Sequence, residues 1–478
     1  MLKISYNTII ITLALLLGII PYFIFNESRF LDMDTLAINA ALCMIVVIFQ
    51  LIDRMSNPLI FLLSTYIVVY NSLRILTLIF FDDFSRTLEE SGPITIDDFN
   101  YAFLYFLLAS ILLYLGLIFG DFSKSFRSNI KIKEKSIVTI SSLLLVISFI
   151  TFLNKGSLSF YNNPVFGYIL RIFNIFFIQL ILIPLYSFKS INGNLKEKDR
   201  FYFWLSIITS LIVLILIGNR KHLIDIIMIF IFSQIVFQKN PKASIMRVVF
   251  GIFLFVSSLF LYDLSTYLRY SKYDTIVEVG TDFNYKNALK AYLNSPLFST
   301  SGLDRIFDRV GFLDITINTI TYSDKFHGIF NPIYYSKSVI DDLSPGLVIF
   351  NSPLAGQIKN LVDNYGIKTP TFYELRNIKY SSRMITGYAE VYILSHGYFG
   401  LFIYFIIGYL FSLLISKANE LNTFDRIFFT ILVVNLFFGS QGLLFSFGFD
   451  WMLSKIAKLC LFYFIIRSLL VEKETRFE

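Results

Sequence analysis

The chain has 478 residues, of which 56% are hydrophobic and 16% charged, with a formal net charge of +7. An ordinary soluble domain is about 45–50% apolar with Gly included and roughly 25% charged, so this composition, with a mean hydropathy of +0.67, excludes a cytosolic enzyme, a secreted module and a disordered chain. The Lys and Arg residues are scattered between apolar runs, without the basic stripe that nucleic acid requires, and Cys43 and Cys460 lie inside such runs, which argues against a disulfide framework or a thiolate metal site.

A hydrocarbon core of about 30 Å is crossed by about 20 mostly apolar helical residues. In chain order such stretches fall at roughly 6–25, 35–52, 58–81, 99–120, 136–153, 164–188, 201–218, 221–238, 244–263, 397–416, 426–447 and 450–470, about twelve in all. The first reads as an uncleaved anchor, because Pro21 and Tyr22 follow its apolar run in place of a small-residue cleavage site. The expected fold is an all-α polytopic membrane protein.

Alternate loops are basic. They carry Lys3; Arg54; Lys124, Arg127, Lys131, Lys133 and Lys135; Lys189, Lys196, Lys198 and Arg200; Lys239, Lys242 and Arg247; Lys417 and Arg426; and Arg467, Lys473 and Arg476. Between them lie acidic loops with Glu27, Asp32 and Asp34, then Asp82, Asp83, Glu89, Glu90, Asp97 and Asp98. The positive-inside rule then predicts both termini on the cytoplasmic side. It divides the chain into spans over 1–263, one large outer loop over 264–383 and the last spans over 384–478. Within the loop, Leu303, Ile306, Phe307, Val310 and Ile317 are spaced for a helix, and Asn351-Ser352-Pro353 starts another that stops at Gly366. The loop is therefore expected to be a small helical cap.

Ionisable groups inside spans are costly and are functional candidates. Arg74, Arg171, Arg220, Lys221, Arg269, Arg383, Lys455 and Lys458 all fall toward the expected outer side, with Asp225, Glu390 and Asp450 as acidic counterparts. Snorkelling to headgroups accounts for any one of them. The whole set on the side poorer in basic loops points to a bound anion. In Ile217-Gly218-Asn219-Arg220-Lys221-His222 a helix N-terminus is expected to open outward beside two cations, which suits phosphate; a plain hairpin turn is the alternative. In Ser382 to Gly400, a helix would put Arg383, Gly387 and Glu390 on one face. Glu390 there is the first candidate for a general base and His396 the second; a simple ion pair and a helix cap are the alternatives.

These residues resemble the Wzy-type polymerases of bacterial surface polysaccharides. The layout is similar over nearly the whole chain, and the local likeness lies in Gly218-Asn219-Arg220 and in Glu390, Tyr392, Gly397 and Gly400. The His-Asn pair of the related O-antigen ligases is replaced by Thr386-Gly387, which makes a ligase the poorer fit. The resemblance implies a fold like the GT-C membrane glycosyltransferases, at the bacterial inner membrane. The implied substrate is an oligosaccharide repeat unit on undecaprenyl diphosphate, joined to a growing glycan on the same lipid. Glu390 or His396 would be the base. Arg220, Arg269 and Arg383, then Lys221, Arg74, Arg171, Lys455 and Lys458, would hold the leaving diphosphate, with no metal or cofactor required. A chain-length regulator and a repeat-unit flippase are the protein partners the resemblance implies. Tyr334-Tyr335 and Tyr267, Tyr270 and Tyr273 are candidate sugar-stacking rings. The rival readings are a transporter or flippase of a lipid-linked oligosaccharide or another anion, a non-catalytic scaffold for envelope assembly, and a metal-dependent transferase using Asp32-Met33-Asp34.

Overall fold

The computed structural model describes residues 3–25, 31–53, 58–80, 95–120, 135–153, 173–216 apart from 192 and 194, 242–244, 284–294, 387–418 apart from 396, and 449–470. It also describes isolated positions and short runs between 226 and 271 and between 317 and 340, and residues 428 and 432. The elements are β1 (Lys3–Ser5), α1 (Tyr6–Ile24), α2 (Met33–Asp53), α3 (Pro58–Tyr66), α4 (Ser72–Phe80), α5 (Ile96–Phe119), α6 (Ser136–Leu153), α7 (Ile175–Ile191), α8 (Glu197–Leu216), β2 (Lys242–Ser244), α9 (Tyr285–Asn294), α10 (Gly387–Leu394), α11 (Leu401–Ala418) and α12 (Phe449–Leu470). A π-helical turn, Ile67–Asn71, joins α3 to α4, and a 3-10 turn, Tyr398–Gly400, leads into α11.

This is a helical membrane protein. Among the described residues, Asn7–Ile24, Met33–Ile52, Ile96–Phe119, Ser136–Leu153 and Glu197–Leu216 are long and apolar enough to cross a bilayer, and Ile175–Ile191 and Tyr398–Leu413 are apolar but shorter. Helices α1, α2, α5, α6 and α8 coincide with expected spans to within a few residues. The expected spans at 221–238 and 426–447 lie largely outside the described residues, as do residues 245–256 of the one at 244–263.

The helix starts follow from local chemistry. Ser5 accepts from the Thr8 N–H at 3.1 Å and caps α1. Thr95 and Asp98 form a reciprocal capping box at the start of α5, and Asp97 and Asp98 also favour the positive end of its dipole. These two acids, expected in a loop, thus belong to the helix. Asp32 caps α2: its Oδ1 accepts from the Thr35 N–H at 2.8 Å.

Packing is tightest between α5 and α11. A Cβ on Gly116 would strike the carbonyl oxygen of Phe405, one on Gly120 would strike Ser412, and one on Gly408 would strike the carbonyl oxygen of Leu113. Gly116 in α5 and Gly120 at its C-cap thus face Gly408 and Ser412 in α11, a small-residue seam that lets two backbones touch where apolar burial offers no drive between helices in lipid. Helix α7 is buried nearly all round, from Ile175 to Ser187, as expected for an inner helix of a bundle. It packs on α6 and α8. Lys189 in its last turn lies 4.0 Å from Asp199 in the first turn of α8, and both are buried.

The all-α architecture holds, with one short strand pair beside it. Lys3–Ser5 and Lys242–Ser244 form an antiparallel strand pair, with Ile4 opposite Ala243. The expected span at 244–263 therefore does not begin as a helix at 244. The pairing also brings the first residues and the chain near 243 to one end of the bundle.

Of the 264–383 stretch, the structure describes α9 and isolated positions. The helix expected from Asn351 to Gly366 lies outside the described residues, as does the one at 303–317 apart from Ile317, which is helical and buried. Helix α9 docks through Tyr292, whose hydroxyl donates to buried Asp263 at 2.8 Å. Its ring packs against Phe260 and Tyr267.

Candidate functional site

Two of the polar regions inside the described bundle bear on function. The first surrounds the π-turn. Asn71, Ser72 and Arg74 are each at most 1% exposed, although they sit in an apolar helix. Ser72 Oγ donates to Asn39 Oδ1 at 2.9 Å, and Asn39 Nδ2 donates to the Leu17 carbonyl at 3.2 Å. With its hydrogen so used, Ser72 can only accept from the Cys43 thiol, 3.4 Å away. On the other side of the π-turn, in α3, Ser64 Oγ donates to the Ile60 carbonyl at 2.6 Å. It accepts from Gln50 Nε2 at 2.7 Å and from the Tyr114 hydroxyl at 2.8 Å. These bonds tie α1, α2, α3, α4 and α5 together. Asn71 is the exception, since among the described residues neither of its side-chain polar atoms finds a hydrogen-bond partner. A π-turn displaces its side chains from the ordinary helical register and is frequent at functional sites.

The second region is the Gly387–Gly400 segment. Helix α10 ends where Gly397 takes φ 98°, a conformation that favours glycine. The Gly397 N–H donates back to the Tyr392 carbonyl at 2.9 Å. A Cβ on Gly400 would collide with Ser395 Oγ. The two glycines thus turn the chain sharply from α10 into α11. Around this turn a tyrosine cluster assembles from α5, α10, the 3-10 turn and α11. Tyr388 stacks on Tyr404 at 5.1 Å, and the Tyr404 hydroxyl donates to the Tyr388 carbonyl at 3.2 Å. Tyr105 meets Tyr392 edge-on at 4.9 Å and Tyr398 at 5.8 Å. The hydroxyls of Tyr101 and Tyr392 lie 3.0 Å apart.

The predicted site residues are distributed as follows. Arg74 is fully buried within the protein, which is not the arrangement of a side chain snorkelling to headgroups. Glu390 is on α10 between buried Ala389 and Val391, and its side chain lies outside the described residues. Lys455 and Lys458 are on α12; Lys458 is half-buried and the Lys455 side chain is outside the described residues. One helical turn after Lys458, Phe462 packs on Phe173 at 5.6 Å, and Phe173 follows Arg171 by two positions in sequence. Arg171, Arg220, Lys221, Asp225, Arg269, Arg383 and His396 lie outside the described residues.

Asp32, the first acid of Asp32-Met33-Asp34, is committed to local structure. Besides capping α2 it accepts from Asn100 Nδ2 at 3.1 Å on each carboxylate oxygen, which links α2 to α5. Burial raises its pKa, but bonds from the Thr35 N–H, the Asn100 amide, the Thr35 hydroxyl and the Asp34 N–H outweigh this and hold the carboxyl below its ordinary value. Among the described residues, no three His, Cys, Asp or Glu side chains gather as a metal site would require.

The sequence reading missed Asn71, Asp263 and the tyrosine cluster. Asp263 was legible as an acid at the end of an apolar run. Asn71 was legible as an amide one turn before Arg74. The cluster was not legible, because it joins rings nearly 300 residues apart, as in the Tyr101–Tyr392 pair. Of the expected sugar-stacking rings, Tyr267 is engaged with Tyr292, while Tyr270, Tyr273, Tyr334 and Tyr335 lie outside the described residues. Comparison of the chain with protein-family models, curated proteins and solved structures gives no match.

Proposed function

We propose that the chain is a membrane glycosyltransferase that polymerises oligosaccharide repeat units carried on undecaprenyl diphosphate. In this reading about twelve spans cross the bacterial inner membrane, both termini face the cytoplasm, and residues 264–383 form an outer cap. The observation that carries the proposal is Arg74, a guanidinium fully buried in an apolar span. A charge held there is costly and is retained for a partner or a ligand. Support also comes from the Gly397 break at the end of the helix that bears Glu390.

The reaction needs a base and a cationic cradle. The acceptor hydroxyl gives its proton to Glu390, or to His396, as its oxygen attacks the donor's anomeric carbon. The bond from that carbon to the diphosphate oxygen breaks, and its electron pair leaves with the lipid diphosphate. Arg220, Arg269, Arg383 and Arg74, with Lys221, Arg171, Lys455 and Lys458, neutralise the leaving group as charge develops on it. Arginine suits this task because its fork matches two phosphate oxygens at once.

The test is deletion of the gene followed by inspection of surface glycan length. Long chains replaced by single repeat units support the proposal, and an unchanged length distribution overturns it. A transporter is the second reading, favoured by the interruptions at Ile67–Asn71 and Gly397, since transport sites are often built on broken helices. Deletion of a flippase would instead leave no units at the surface.

A further inference from the structure

We propose that α9 seats on the anionic bilayer surface, with Leu289 and Leu293 entering the acyl boundary and Lys286 and Lys290 meeting lipid phosphates. The proposal rests on the chain being a membrane protein and not on the polymerase reading. Helix α9 starts from its own local chemistry, since Asn284 Oδ1 accepts from the Lys286 N–H at 3.0 Å and the Asn287 N–H at 3.3 Å. It carries two lysines and no acid. Tyr292 is buried and Ala288 packs against the core, so one side of the helix faces the protein. Leu289 and Leu293, four residues apart on one face, are 41% and 63% exposed.

The faces follow one another in a telling order. At about 100° per residue, Ala288 and Tyr292 are followed around the axis by Leu289 and Leu293, then by Lys286 and Lys290, then by Asn294 and Asn287. The lysines thus stand between the apolar stripe and the polar side. Among the described residues neither lysine is in an ion pair. An apolar stripe edged by lysines is the make-up of a helix lying at the headgroup level, where the acyl boundary takes the one and phosphates the other.

The depth of α9 is set by a separate observation. Tyr292 bonds Asp263 and packs on Phe260 and Tyr267. Positions 260, 263 and 267 share one face of a helical stretch. Asp263 is the first charged residue after the uncharged run 248–262, so it marks the level at which the apolar part of that span gives way to headgroups. Tyrosine rings are enriched at this level. The leucine stripe, one position on either side of the Tyr292 line, is therefore held where acyl chains begin. The contact pins the first part of the 264–383 stretch to the membrane surface.

The test uses the full-length chain with Cys43 and Cys460 replaced by Ser, reconstituted in nanodiscs of phosphatidylcholine with or without phosphatidylglycerol. An environment-sensitive fluorophore is attached at Leu293→Cys, at Leu289→Cys or, as the opposite face, at Asn287→Cys. All three positions are exposed, so a label needs no repacking, and melting temperatures check that each labelled chain is folded. The leucine positions are expected to show blue-shifted emission, quenching by doxyl-labelled lipid and protection from aqueous iodide, and Asn287→Cys the reverse. Phosphatidylglycerol should increase the lipid quenching, and Lys286→Gln/Lys290→Gln should remove that increase. Iodide quenching at the leucine positions equal to that at Asn287→Cys overturns the proposal. Protection there from both quenchers overturns it too, because protein then covers the stripe. Lipid quenching that ignores phosphatidylglycerol overturns the part assigned to the lysines. No sugar enters the assay, so its outcome is independent of whether the chain polymerises glycan.

Discussion

At the residue scale, the polar groups divide into those that hold helices together and those kept for another purpose. Asp32 belongs to the first class. Its carboxyl is held below the ordinary value of 3.8, so its contribution to stability is present above that value and is lost as pH falls through the lowered one. Asp32→Asn keeps a capping side chain but gives up the charged acceptor. It is expected to lower stability by about 1 kcal/mol near neutral pH. The gap from wild type should close as the melt is repeated below the ordinary carboxylate pKa, and a gap that persists in acid would contradict the assignment. Under the proposed function Arg74 also serves the second purpose. Arg74→Lys retains the charge but not the planar fork. At unchanged abundance it should shorten the surface glycan as Arg74→Ala does, and long chains from Arg74→Lys would remove the fork from the account.

At the element scale, the contact of α5 with α11 is the most exacting in the described bundle. Helix propensity alone says that Gly→Ala inside a helix stabilises by roughly 0.5–1 kcal/mol. Here the sign should reverse. Gly116→Ala and Gly408→Ala each place a methyl group against the partner's backbone, and overpacking of this kind costs about 1–3 kcal/mol. Both should lower the melting temperature of the purified protein, and the double variant should fall short of the sum because the two glycines share one contact. An increase in melting temperature from either would refute the close approach. The same helices mark how far the sequence could be read. Apolar runs of span length announced α1, α2, α5, α6 and α8, because in a bilayer every backbone polar group must be bonded within its own segment. The π-turn was invisible, since it lies inside an apolar run and carries no Gly or Pro. The β1–β2 pair was also unreadable: each strand is three residues long, too short for an alternation to emerge, and its register depends on a contact across most of the bundle.

At the scale of the whole molecule, the β1–β2 pair constrains topology. With Cys43 and Cys460 replaced by Ser, Ile4→Cys and Ala243→Cys should form a disulfide on oxidation, because opposite residues of antiparallel strands lie about 4.5–5.5 Å apart between Cα atoms. Failure to link, with both thiols open to the same side of the membrane, would contradict the pairing. The candidate site was legible in part. Arg74 and Glu390 stood out because charge in an apolar run is costly, whereas the tyrosines became a group only once α5, α10 and α11 were brought together. The claim that unites these scales is sugar coupling at the outer half of the bundle. Its most direct measurement is reconstitution of the purified chain in vesicles supplied with undecaprenyl-diphosphate-linked repeat units. The account predicts a ladder of longer glycans with release of undecaprenyl diphosphate, both abolished by Glu390→Gln. Units that cross the bilayer without elongation, or a ladder that Glu390→Gln leaves intact, would contradict it.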